Sequence, residues 1–215
     1  MFYRLILFIF LSFFISCKSS NNTETLVLQP GPEEGVDASI EEYPFGDYNN
    51  RNFGNADSFI AMHWTANSEP FIIRSFINFD LSGIPSNVEI ENASLSLFAT
   101  EVLWHETIHH GENATLIQKV TSSWTEDEVT WNNQPSTTTE NQVTLRTSST
   151  PDQDYIDIDV TNLIRTIYSD PSGGYGMMMK LKNESETNLF SCMIFGSSDN
   201  EDVSKRPKLS ITYSK

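Results

Sequence analysis

From residue 35 onward the chain is a succession of short runs rich in Ile, Val, Phe, Tyr and Thr, each closed by turn-forming residues. Runs this short suit strands, because a packed helix needs ten or more residues at helical periodicity. Strands are expected over 36–40, 58–64, 71–79, 93–99, 115–120, 142–145, 155–159, 175–182, 189–195 and 208–213. The breaks include Asn52-Phe53-Gly54-Asn55, Asn132-Asn133-Gln134-Pro135 and Asp170-Pro171-Ser172-Gly173-Gly174. One short helix is expected over 160–168. There Val160, Leu163, Ile164 and Ile167 fall at helical spacing, Asp159 or Thr161 can cap the start, and Pro171 lies just beyond the end. With no internal repeat, this pattern predicts an all-β fold: a two-sheet β-sandwich of jelly-roll type with one short helix, formed by residues 35–215 as a single domain.

Period-two alternation assigns faces. Within 71–79, Phe71, Ile73, Ser75, Ile77 and Phe79 share the core face. Ile72, Arg74, Phe76 and Asn78 share the other, which is expected to be an exposed concave surface. Within 175–182, Met177, Met179 and Leu181 face the core, and Met178, Lys180 and Lys182 face outward.

Residues 1–16 read differently. Arg4 precedes an apolar run from Leu5 to Ile15, too short and wrongly flanked to span a bilayer, as in a secretory signal peptide. Ser16 followed by Cys17 resembles a bacterial lipobox, which implies cleavage before Cys17 and its lipidation. Lys18 follows, with no inner-membrane retention aspartate, so by analogy the outer membrane is the expected location, facing the periplasm or the surface. The lipidated Cys17 and the mostly polar residues to 34, which end in Pro30, Gly31 and Pro32, are expected to form a flexible tether.

Charge narrows the partners. Lys and Arg number 13 against 29 Asp and Glu, a formal net charge of −16, so nucleic acid is excluded and an anionic polysaccharide disfavoured. Two cysteines preclude a disulfide framework or a Cys-rich zinc site. No phosphate loop, Gly-x-Ser-x-Gly elbow or dinucleotide fingerprint is present, and no catalytic residue is expected.

His105-Glu106-Thr107-Ile108-His109 matches H-E-x-x-H, in which two imidazoles on one helix face hold zinc and the glutamate activates its water. Expected strands flank it closely, and the extended pattern fails at Glu112 and Thr115. The segment is therefore expected to be a polar loop, with His105, His109 and His110 as candidates for a surface metal site. Asp157 and Asp159 would share a strand face but read as a solvent-facing strand before a helix cap. Asp37, Asp47 and Asp57 are candidate oxygen donors for a structural calcium; no other cofactor is expected.

Several segments together carry a resemblance. Arg74-Ser75-Phe76-Ile77-Asn78-Phe79-Asp80-Leu81 is followed by Ile90-Glu91-Asn92-Ala93-Ser94-Leu95. Next come Trp124-Thr125-Glu126-Asp127-Glu128-Val129-Thr130-Trp131-Asn132-Asn133-Gln134-Pro135 and Ile158-Asp159-Val160-Thr161-Asn162-Leu163. Arg206-Pro207-Lys208-Leu209-Ser210-Ile211 ends the series. Over roughly residues 35–213 the chain resembles the bacterial DNRLRE domain and is similar to carbohydrate-binding module family 96. The resemblance implies a β-sandwich with a non-catalytic, glycan-binding role, often beside polysaccharide-degrading domains.

Trp124 and Trp131 lie inside the block that defines the resemblance and are expected to fill the edge of the core. Sugar platforms are sought in segments that depart from it, among Tyr43, Phe45, Tyr48, His63, Trp64 and Trp104. The carbohydrate-binding candidates are Tyr48, His63, Trp64, Arg74, Asn78, Trp104 and Lys180. The expected function is a lipid-anchored envelope module that binds a polysaccharide, with polysaccharide-degrading or uptake proteins as further partners. The alternatives are an envelope structural or adhesion module that binds protein, and a zinc metalloprotease built on the histidine motif.

Overall fold

A computed structural model describes residues 22–170 and 174–214. The expected signal peptide, Cys17, the start of the tether and Pro171 lie outside the described residues. The first sheet has the order β1 (Thr23–Leu28), β11 (Lys208–Ser214), β5 (Glu89–Leu97), β8 (Tyr155–Asp159). The second runs β10 (Ser191–Gly196), β3 (Ser58–Ala66), β4 (Glu69–Asn78), β9 (Met177–Leu181), β6 (Thr115–Val120), β7 (Thr137–Leu145), with β2 (Val36–Glu42) also paired to β4. Every pairing is antiparallel. The all-β sandwich with one short helix is the architecture that the alternation predicts.

The main core lies between the sheets. Ala93, Leu95, Leu209 and Ile211 come from the first and Phe59, Ile77, Met177, Met179 and Phe195 from the second. The helix α1 (Thr161–Tyr168) adds Leu163, Ile164 and Ile167, and Asp159 accepts the Thr161 N–H at 2.9 Å, so Asp159 serves the helix start. Gly176 has φ +77°, and a Cβ there would stand 2.2 Å from the Ile77 carbonyl oxygen; only glycine lets the chain enter β9 so close to β4.

Two expectations change. The segment read as a tether supplies β1, which pairs with β11 from Thr23↔Ser214 to Leu28↔Leu209. Leu26 and Leu28 pack on the core, and the Thr25 and Thr212 hydroxyls lie 3.1 Å apart. A sheet edge favours such a partner, but two apolar residues give too little periodicity to announce it. The outer face of β4 is also not open throughout. Phe76 is fully buried there with Ala38, Ile40, Val120, Val129 and Met178, beneath Trp124 and Trp131. Trp124 packs on Phe76 with ring centroids 5.4 Å apart and donates its Nε1–H to the Tyr175 carbonyl at 2.8 Å. The Trp block thus caps the sheet, as its place at the core edge predicts.

Candidate functional site

An aromatic cleft arises from a departure of β3 from the sheet. β3 pairs with β4 only over 62–66 against 69–73. Beyond Met62 the Ser75 hydroxyl takes over. It accepts the Ile60 N–H at 2.7 Å, donates to the Ile60 carbonyl at 2.8 Å and lies 2.8 Å from the Ser39 hydroxyl of β2. These bonds satisfy buried backbone groups and hold β3 across the face of β2 and β4. Phe59 and Ala61 therefore point into the main core, whereas Ile60 and Met62 turn back onto Phe71 and Ile73 in a second cluster.

At the mouth of that cluster lies a cleft of about 540 Å³. Tyr43, Tyr48, Phe53, Trp64, Phe71 and Trp104 line it, with Ser39, Glu41 and His105. Tyr43 sits 4.5 Å from Tyr48 and 5.3 Å from Phe71 between ring centroids. His105 stands edge-on to Trp64 at 4.5 Å and to Trp104 at 5.6 Å. Trp104 is 57% exposed, so its ring is available to a ligand, and the Arg51 guanidinium lies 4.0 Å from the centroid of the Tyr48 ring. Size and an aromatic lining with few polar groups are features of a small-ligand or sugar site.

Of the seven carbohydrate candidates, Tyr48, Trp64 and Trp104 come together in this cleft. His63 does not. It is buried on the other side of β3, bonded to the backbone of Ser185, with Nδ1 unpartnered, beside a separate groove flanked by Glu42, Glu184 and Glu186. Arg74 and Lys180 both bind Glu184, at 2.6 and 3.1 Å. Arg74 also donates to Gln134 at 2.8 Å and lies 4.5 Å over the Trp131 ring. These two cations brace the outer face of the sheet. Asn78 is at the far end of β4, against the 79–87 turn.

The H-E-x-x-H segment is an irregular loop. His109 is buried; its Nδ1 accepts the Ile194 N–H at 3.2 Å and its Nε2–H donates to the Gln153 carbonyl at 2.9 Å. Burial holds its pKa below the usual imidazole value, and both ring nitrogens serve the fold. His105 Nδ1 lies 2.8 Å from the Thr107 carbonyl, and the exposed His110 meets Trp64 edge-on at 5.5 Å. The helical geometry that the metalloprotease alternative requires is not formed. The calcium donors do not gather either. Asp37 accepts the Ser198 N–H at 2.9 Å, and Asp47 accepts from Asn50 at 2.6 Å in the turn after β2. Among the described residues, no three His, Cys, Asp or Glu side chains are placed to hold a metal ion.

Sequence reasoning misses Phe53, Phe71 and Glu41 as cleft residues. Phe71 reads as core, and the strand expected over 36–40 ends before Glu41, whereas in β2 Asp37, Ser39 and Glu41 share one face. Only the crossing of β3 turns that face inward. A sequence model of carbohydrate-binding module family 96 matches residues 37–213 of the chain. No curated protein matches it.

Proposed function

Because the chain belongs to carbohydrate-binding module family 96, we propose that it is a non-catalytic envelope module that holds a polysaccharide in the aromatic cleft. The observation that carries this reading is the convergence of six aromatic side chains on one open cleft. The apolar C–H face of a pyranose would lie on Trp104 and Trp64, with its hydroxyls toward Glu41, Ser39 and His105. A glycan array probed with the detergent-solubilised chain should give at least one polysaccharide signal. Trp104→Ala should weaken that binding by about tenfold or more, with the melting temperature unchanged. An array without signal would move the assignment to the protein-binding adhesion module.

The reading includes a lipid anchor. Arg4, the apolar run and Cys17 support a lipoprotein signal, and acyl chains contribute about 0.8 kcal/mol per buried methylene to membrane binding. Among the described residues no helix is long and apolar enough to cross a membrane. Cys17→Ser should therefore shift the protein from the membrane to the soluble fraction and abolish palmitate labelling. A wild-type chain that takes no label would sink the anchor. At the outer membrane, such a module would hold polysaccharide for degrading or uptake proteins beside it.

A further inference from the structure

The groove beside His63 is built by strand register. Glu42 of β2 and His63 of β3 both lie opposite Ile72 of β4, so the three residues stand in one row on one face of the sheet. Glu184 and Glu186, from the segment between β9 and β10, line the same groove of about 510 Å³, with Tyr43 and Phe71 as its aromatic wall. His63 is only 2% exposed. It bonds to the Ser185 backbone, and because that bond favours the protonated ring, the imidazole is its donor. Nδ1 has no partner among the described residues. Burial holds the ring below the usual imidazole value, so at neutral pH Nδ1 presents a lone pair. A buried acceptor without a donor is unfavourable, and a ligand that supplies one recovers the loss. The charge around this acceptor is negative, since the carboxylates of Glu184, Glu186 and Glu42 all act on the ring. Glu184 is already bound by Arg74 and Lys180. Among the described residues, neither an ion pair nor a hydrogen bond reaches the carboxyl of Glu42 or Glu186.

Whatever the aromatic cleft holds, we propose that this second groove binds an organic cation, a primary ammonium or guanidinium group, whose N–H donors are shared between His63 Nδ1 and the Glu42 and Glu186 carboxylates. A lone pair and two open carboxylates call for several donors on one positive group. A metal ion does not suit them, because among the described residues no three His, Cys, Asp or Glu side chains are placed to hold one. An ammonium or a planar guanidinium directs its donors outward to acceptors that need not converge on a single point. Tyr43 and Phe71 offer such a cation the faces of their rings and its aliphatic stem an apolar wall. The formal net charge of −16 draws cations toward the chain from a distance. The same chemistry is carried by a free diamine and by the Lys or Arg side chain of a protein segment.

The test is calorimetric titration of the detergent-solubilised full chain, at low ionic strength, with cadaverine, argininamide and tetralysine, and with tetraglutamate as control. At least one of the three cations should bind one-to-one, and tetraglutamate should not. The double variant Glu42→Gln, Glu186→Gln should weaken that binding by about fivefold or more, the effect of two partly exposed charge pairs. Its melting temperature should not fall, since both side chains are exposed and make no bond. In nitrogen-15 spectra the bound cation should move the His63 Nδ1 resonance, the signature of a lone pair that accepts an N–H. Trp104→Ala, outside the groove, should leave cation binding unchanged. Tetralysine as the tighter ligand assigns the groove to a basic protein segment, and cadaverine or argininamide of equal affinity assigns it to a free amine; either supports the inference. Absence of saturable binding by all three cations overturns it. So does binding of several equivalents that the double variant does not weaken, which is the general attraction of an acidic chain. An unmoved His63 resonance, or loss of cation binding in Trp104→Ala, overturns it as well, and none of these results bears on the glycan reading.

Discussion

Phe76→Ala should destabilise the protein by about 3–5 kcal/mol, as expected for truncation of a fully buried aromatic ring. The ring is fully buried on the outer face of β4, against Ala38, Ile40, Val129 and Met178 and beneath Trp124. Its loss leaves a cavity that the strands cannot close, because β2 and β9 hold β4 in register from both sides. Trp124→Ala should act in the same direction, since it removes the lid over Phe76 and leaves the Tyr175 carbonyl without its 2.8 Å donor. Against a typical total of about 5–15 kcal/mol, either change is a large fraction. Urea titration by tryptophan-independent far-UV circular dichroism gives the number. A Phe76→Ala loss under about 1 kcal/mol would mean that the Trp block does not dock on the sheet in solution. Paired with Trp104→Ala, which should alter binding and not stability, the result separates the tryptophans that build the sandwich from those that serve its cleft.

The strands were legible wherever apolar residues recur at period two on a buried face. The runs 115–120 and 155–159 match β6 and β8, and the helix starts one residue later than its pattern suggests. β1 and the first half of β7 were not legible for the same physical reason. Thr137, Thr138, Thr139 and Glu140 begin the outer strand of a sheet, exposed or half-buried, and Thr137 and Thr138 are held by backbone pairing with β6 that leaves no hydrophobic signature. The site divides in the same way. Residue chemistry nominated Tyr48, Trp64 and Trp104, and their rings do share one cleft. It could not assign Arg74 and Lys180, because their partner Glu184 reaches them from a loop beyond β9, near Lys180 in sequence but 110 residues from Arg74. Nor could alternation reveal Glu41 as a cleft residue. Alternation gives the face of a strand, and what covers that face depends on where another strand crosses.

The pH dependence of Asp37→Asn and Glu41→Gln relative to wild type should expose two carboxyls that the fold holds against their charge. Burial raises Asp37 from 3.8 to about 6, reinforced by the charges of Asp199 and Glu126, while its bonds to Ser198 oppose the rise. Burial likewise raises Glu41 from 4.5 to about 7, and Arg51 opposes it. In each case the folded chain keeps a proton that the unfolded chain releases between the two values. Each carboxyl therefore lowers stability as pH rises, from about 4 to 6 for Asp37 and from about 4.5 to 7 for Glu41, with no further change above. The amide variants lack this loss. Relative to wild type, each should gain stability across its window, by an amount on the order of 2 kcal/mol between pH 4 and pH 8. His63 and His109 slope the other way. Burial holds both below the usual imidazole value, so the stability that rests on their neutral form is lost as pH falls below about 6.5. They are present in all three proteins and cancel in the difference. Urea midpoints at half-unit pH steps measure that difference directly. A variant-minus-wild-type curve that is flat, or that falls with pH, would show that the carboxyl concerned titrates no higher in the folded protein than in the unfolded chain.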